Sequence, residues 1–318
     1  MRRLTGALLV SLAMLITSSG CSALDEDTAG VPQVAAAFYP LEFVVDRVGG
    51  DFVDIEALTT PGSEPHDLEP TIKETAEISE ADLVVHERRF QPSIDNAVDQ
   101  NATGVVLDAA EIVGLQPFAD DPEHEEGDDH EEGEEHHEDD GHDHEGDLDP
   151  HFWLDPLRLA DLGDAVADAL SEIAPDHEDD YRANAAALRV DLEELDQNLQ
   201  AGLADCERSL IVVSHNAFGY LGKYGIDVAP IAGLSPDAEP TPADLGKLQQ
   251  LITEEEITTV FGERLASPRL TETLADDMGV STAILDPIEG LTDETADEDY
   301  LSLMTSNLTA LQEANACR

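Results

Sequence analysis

Lysine is nearly missing from this chain of 318 residues: only Lys73, Lys223 and Lys247 occur, and all Lys and Arg together number 15 against 72 acids. The resulting formal charge of −57 excludes binding to nucleic-acid phosphates and electrostatic docking on anionic lipid. A surface this acidic fits a halophilic habitat, where salt screens the self-repulsion. Long apolar runs are also scarce. After the stretch 8–16, none approaches the ~20 residues that a membrane helix needs, so any membrane link is an anchor at the N-terminus. Cysteine occurs three times, at Cys21, Cys206 and Cys317, with no C-x-x-C spacing. In an oxidising compartment Cys206 and Cys317 are expected to form a disulfide. Zinc binding by the pair is the weaker alternative, because no histidine follows His215 to complete such a site.

What is present begins with an export signal. Arg2 and Arg3 precede the apolar run, and small residues follow it up to Cys21. Ser18-Ser19-Gly20-Cys21 resembles a bacterial lipobox without its usual leucine, so residues 1–21 read as a signal peptide and Cys21 as the lipidation site; an ordinary signal peptide with an incidental cysteine is the alternative. Residues 22–31 then form a tether. The remaining 41% hydrophobic chain is long enough for two lobes.

In the N-terminal lobe, 32–175, β-like stretches at 34–38, 53–58, 83–86 and 104–107 alternate with helical ones. The C-terminal lobe, 205–318, repeats the order with strands near 210–213, 228–231, 258–261 and 282–285, and with helices at 242–254, 269–278 and 298–314. Such alternation predicts two doubly wound α/β lobes with parallel sheets. Between them, Tyr181, Ala185, Leu188, Leu192, Leu195 and Leu199 recur at helical spacing, predicting one long linker helix over 176–204 and small lobe motions. Residues 119–149 differ in kind. His124, His130, His136, His137, His142 and His144 stand among acids with little that is apolar, which predicts a mobile loop that collects zinc at low affinity or is merely solvated.

Outside that loop the histidines are His66, His86, His151, His177 and His215. His66 follows the 53–58 strand, His151 is held between Pro150 and Pro156, His215 follows the 210–213 strand, and Asp286 follows 282–285. Ligands of doubly wound sheets bind at these strand ends. Three neutral imidazoles and a carboxylate fill a tetrahedral zinc shell, and nitrogen donors suit zinc better than manganese. His86 reads as a strand-end residue and His177 as a surface one. Trp153 is expected to pack beside His151, and Glu239 or Glu263 to contact a ligand imidazole or an arginine.

Four strings carry a resemblance: Pro-Gly-Ser-Glu-Pro-His-Asp-Leu-Glu-Pro (61–70), Asp-Pro-His-Phe-Trp-Leu-Asp-Pro (149–156), Ser-His-Asn-Ala-Phe-Gly-Tyr-Leu (214–221) and Leu-Asp-Pro-Ile-Glu-Gly (285–290). In this order they resemble the metal-site segments of the zinc and manganese solute-binding proteins of ABC importers. The resemblance implies one metal in the inter-lobe cleft, held by His66, His151, His215 and Asp286, and docking to a membrane permease. His215 stands where manganese members commonly have glutamate, which favours zinc, and a His- and acid-rich loop before the second ligand is a zinc-type feature. The expected protein is a monomeric, lipid-anchored zinc carrier at the periplasmic or outer face of the membrane. The alternatives are a manganese carrier, a site of three histidines plus water, and a zinc hydrolase with Glu64 as general base.

Overall fold

The computed structural model describes residues 30–118, 148–236 and 238–318. The signal segment with Cys21, nearly all of the tether, and the six histidines of the acidic loop lie outside the described residues.

The first lobe runs β1 (Gln33–Ala36), α1 (Tyr39–Gly49), β2 (Asp54–Ala57), α2 (Ile72–Glu80), β3 (Leu83–His86), α3 (Pro92–Asn101), β4 (Val105–Asp108), α4 (Ala109–Val113) and α5 (Pro156–Ile173). Its sheet has the order β2-β1-β3-β4, every pair parallel. The central β3 is buried along its whole length, as a strand covered by helices on both faces must be. Helix starts follow their local chemistry. Thr71 and Glu74 close a capping box on α2, and Asp155 caps α5 with Pro156 at its first position.

Helix α6 (Glu178–Leu203) leads to the second lobe: β5 (Leu210–Val213), β6 (Asp227–Pro230), α7 (Pro242–Glu254), β7 (Thr259–Gly262), α8 (Arg269–Met278), β8 (Ser281–Ile284) and α9 (Tyr300–Asn315). The sheet order β6-β5-β7-β8 repeats that of the first lobe, again all parallel. The expected helix near 218–224 is instead a 3-10 helix, Gly219–Tyr224.

The long helix joins the lobes as its periodicity predicts. Tyr181, Ala185, Leu188, Leu192, Leu195, Leu199 and Leu203 form its buried stripe. It packs on α1 and α5 of the first lobe and on α9 of the second. At Gly202 the approach to α9 is close enough that a Cβ would lie 2.6 Å from Gln312 Nε2. One apolar core runs through both lobes, and a smaller one around Val212, Leu248, Val260 and Leu274 fills the far side of the second sheet. Cys206 and Cys317 form a disulfide across 111 residues, fastening the end of α9 to the entry of β5.

Polar bridges also cross between lobes. Trp153 Nε1 donates to Pro287 O at 2.7 Å, and Tyr300 Oη donates to Trp153 O at 2.5 Å. Lys223 Nζ reaches Asp155 Oδ1 at 2.7 Å and Asp196 Oδ1 of α6 at 2.6 Å. One of the three lysines thus bridges the two lobes and the helix that joins them.

Candidate metal centre

The parallel topology puts the loops after β2, β5, β7 and β8 at the carboxyl edges of the two sheets. His66 sits in the loop after β2. Glu64 shapes that loop by accepting the backbone N–H of His66 at 3.0 Å and of Asp67 at 3.4 Å. Gln91 donates to Pro65 O at 3.0 Å from below, and Gly62, at φ +83°, donates its N–H to Leu291 O of the other lobe at 2.7 Å.

His151 lies just past a narrow stem. Pro117 and Leu148 pair as an isolated antiparallel bridge, and Asp149 N donates to Gln116 O at 2.8 Å. The ends of the acidic loop are thereby brought together immediately before the ligand segment. Asp149 Oδ1 accepts from the backbone N of His151 at 3.0 Å and meets its Nδ1 at 2.8 Å. His215 follows β5 and sets its Nδ1 against Glu263 Oε1 at 2.6 Å, an oxygen that also accepts from Ser214 Oγ. A carboxylate on Nδ1 makes that nitrogen the donor, fixes the ring orientation and leaves Nε2 for the cleft.

The three Nε2 atoms converge on one oxygen. Glu289 Oε1 is 3.3 Å from His66, 3.5 Å from His151 and 3.4 Å from His215. Ring centroids are 5.5–5.6 Å apart, and all four side chains are buried. One donor atom from each of these four residues lies within 4.8 Å of every other. Burial works to raise the Glu289 carboxyl, but the three imidazoles hold it well below the carboxylate range. Burial works to lower His215, yet its bonds to Glu263 and Glu289 push it up to about 10. His151 is raised in the same way by Asp149 and Glu289. Without metal, protons and Glu289 satisfy the imidazoles; a divalent cation would replace the protons.

The carboxylate in this cluster is Glu289, not Asp286, and the expectation for the fourth position is corrected accordingly. The turn after β8 carries Ile288 at φ +60°, a left-handed conformation that β-branched residues rarely adopt. Passing through it, the chain sends Asp286 Oδ1 back to the N–H of Ile288 at 2.8 Å and Glu289 toward the histidines. Asp286 Oδ2 faces Arg264 Nε at 3.0 Å. Glu289 was in view in the string 285–290, one residue before Gly290; a left-handed isoleucine was not foreseeable.

Glu263 is the acid on His215, whereas Glu239 is exposed. Asp149, within a quoted string but not singled out, does the same for His151. Trp153 packs against His151 with centroids 5.3 Å apart. His86 is buried on Asp95 at 3.0 Å, and His177 stacks on Phe52; neither joins the cluster. Because Glu64 is engaged by two backbone N–H groups, it is poorly disposed to act as a general base.

The family described as zinc-uptake complex component A, periplasmic, matches residues 34–314. The zinc-binding lipoprotein AdcA of Streptococcus pneumoniae is 34% identical over 293 residues, covering 89% of this chain but 56% of AdcA. This chain therefore spans about half the length of that relative. The high-affinity zinc uptake system protein ZnuA of Bacillus subtilis is 33% identical over 288 residues, covering 88% of this chain and 86% of its own. Among solved structures, the Zn(II)-bound ZnuA-like domain of S. pneumoniae AdcA superposes with a TM-score of 0.71 at 32% identity, over 90% of this chain and 99% of that one.

Proposed function

The chain belongs to the periplasmic zinc-uptake component A family, and from that premise we propose that it captures a zinc ion between its lobes and delivers it to an ABC-type permease. It is a solute-binding component of a transporter and not an enzyme. The observation that carries the reading is the convergence of three buried imidazole Nε2 atoms on a single Glu289 oxygen. Three nitrogens and one carboxylate make a closed zinc shell, with Asp149 and Glu263 as outer partners of two ligands.

Delivery follows from where the ligands come from. His66 and His151 belong to the 32–175 lobe, His215 and Glu289 to the 205–318 lobe, and helix α6 spans the two. A permease that shifts one ligand loop breaks the shell without unfolding either lobe. The word lipoprotein in the name of the AdcA relative supports anchoring of this chain through Cys21, as a monomer outside the cytoplasm. We assign the histidines between 124 and 144 an accessory role in collecting zinc.

Chelator-competition titration tests this reading. The full chain binds one zinc tightly, with further weak zinc on the histidine loop. His66→Ala, His151→Ala, His215→Ala and Glu289→Gln each weaken the tight site, while His86→Ala and deletion of 121–146 leave it intact. Loss of tight binding on loop deletion, or its retention in the cluster variants, would defeat the proposal.

A further inference from the structure

Asp286 shares a turn with Glu289 yet stands outside the four-residue cluster. Its main chain is pinned on both sides: Asp286 N donates to Asn307 Oδ1 at 2.9 Å, and Asn307 Nδ2 donates to Asp286 O at 2.6 Å. The next carbonyl, of Pro287, receives the Trp153 indole. Of its carboxylate, Oδ1 is bound to Ile288 N, whereas Oδ2 is buried and accepts no hydrogen bond. What faces that oxygen is Arg264 Nε at 3.0 Å, an ion pair without hydrogen-bond alignment. Arg264 comes from the loop after β7, is 29% exposed, and reaches Glu294 with its other end at 3.4 Å. An anionic oxygen beside a cation-binding cluster is thus held by a single side chain at the cleft rim.

We propose that Arg264 determines metal specificity by holding Asp286 away from the metal, which keeps the donor set at three imidazoles and one carboxylate. The inference rests on the zinc-site reading above. Four nitrogen and oxygen donors satisfy zinc, whereas manganese favours more oxygens and a higher coordination number. A second carboxylate would make the site more oxygen-rich and more anionic, and so shift its preference toward manganese. Arg264 prevents this by neutralising Asp286 in place. A fully hydrogen-bonded Asp286 would need no such guard; its unbonded Oδ2 does.

The test is zinc and manganese titration of the full chain and of Arg264→Met, Arg264→Lys and the double variant Arg264→Met/Asp286→Asn, with X-ray absorption spectra of the loaded forms. Arg264→Met is expected to move the zinc-to-manganese affinity ratio toward manganese by roughly 10-fold, with an added oxygen neighbour in the manganese spectrum. Arg264→Lys and the double variant should keep the wild-type ratio. An unchanged ratio in Arg264→Met, or a shift that persists in the double variant, overturns the proposal. Failure of the wild-type chain to bind zinc tightly would instead defeat the zinc-site reading, so the two failures are distinguishable.

Discussion

At the scale of single residues, the site depends on groups behind the ligands as much as on the ligands. Gly219 shows this most directly, since a Cβ there would lie 2.4 Å from Asp149 Oδ2. Gly219→Ala must therefore displace the carboxylate that orients His151, and should weaken zinc binding by about 10- to 100-fold with the fold intact. Chelator competition beside a circular dichroism melt checks both halves. The protons carry a second prediction. With His215 at about 10 in the metal-free fold and ~6.5 when unfolded, its protonated bonds stabilise the metal-free protein fully below ~6.5, a contribution lost as pH rises through about 10. Zinc needs the neutral ring, so binding at pH 8 should release protons from His215 and from the similarly raised His151. Calorimetry in buffers of different ionisation enthalpy measures the number released, and zero would show that these rings are already neutral. The three histidines were legible in the sequence because each follows a strand end or sits between prolines. Glu289 was not, because its direction depends on the backbone of Ile288.

At the scale of elements, α7 and α8 fall on their expected bounds and α6 departs from its own by two residues or fewer, as capped or strongly periodic segments should. The 219–224 segment misled because two glycines and a left-handed Gly225 cap favour a tighter 3-10 turn. Helix α6 matters to function through its two contacts, with α5 at one end and α9 at the other. Gly163 of α5 lets Leu188 approach to within 3.2 Å of a would-be Cβ, and Gly202 does the same for Gln312 and Leu308 of α9. Gly202→Val should overpack the α6–α9 contact and lower stability by about 1–3 kcal/mol, read as a reduced midpoint in denaturant. The zinc ligands lie at the opposite, carboxyl ends of the strands, so one zinc per tight site should still bind.

At the scale of the whole molecule, a common core, the Trp153 and Tyr300 bridges and the Lys223 ion pairs tie the lobes together. Such a frame holds the four donors close before any metal arrives, so zinc capture requires loss of protons more than closure of a gap. The charge of −57 opposes compactness, which makes the few bridging cations consequential. Repetition of strand and helix order made the two-lobe design legible, whereas the cross-lobe bonds join residues more than a hundred positions apart and left no local signal. The central claim, one zinc held between the lobes by three imidazoles and Glu289, is tested most directly by zinc K-edge X-ray absorption of the protein loaded with one equivalent of zinc. The expected spectrum shows four nitrogen and oxygen neighbours at about 2.0–2.2 Å with the multiple scattering of three imidazoles, falling to three neighbours or gaining a water in Glu289→Gln. A shell with fewer than three imidazoles, or one unchanged by loss of His66, His151 or His215, would contradict it.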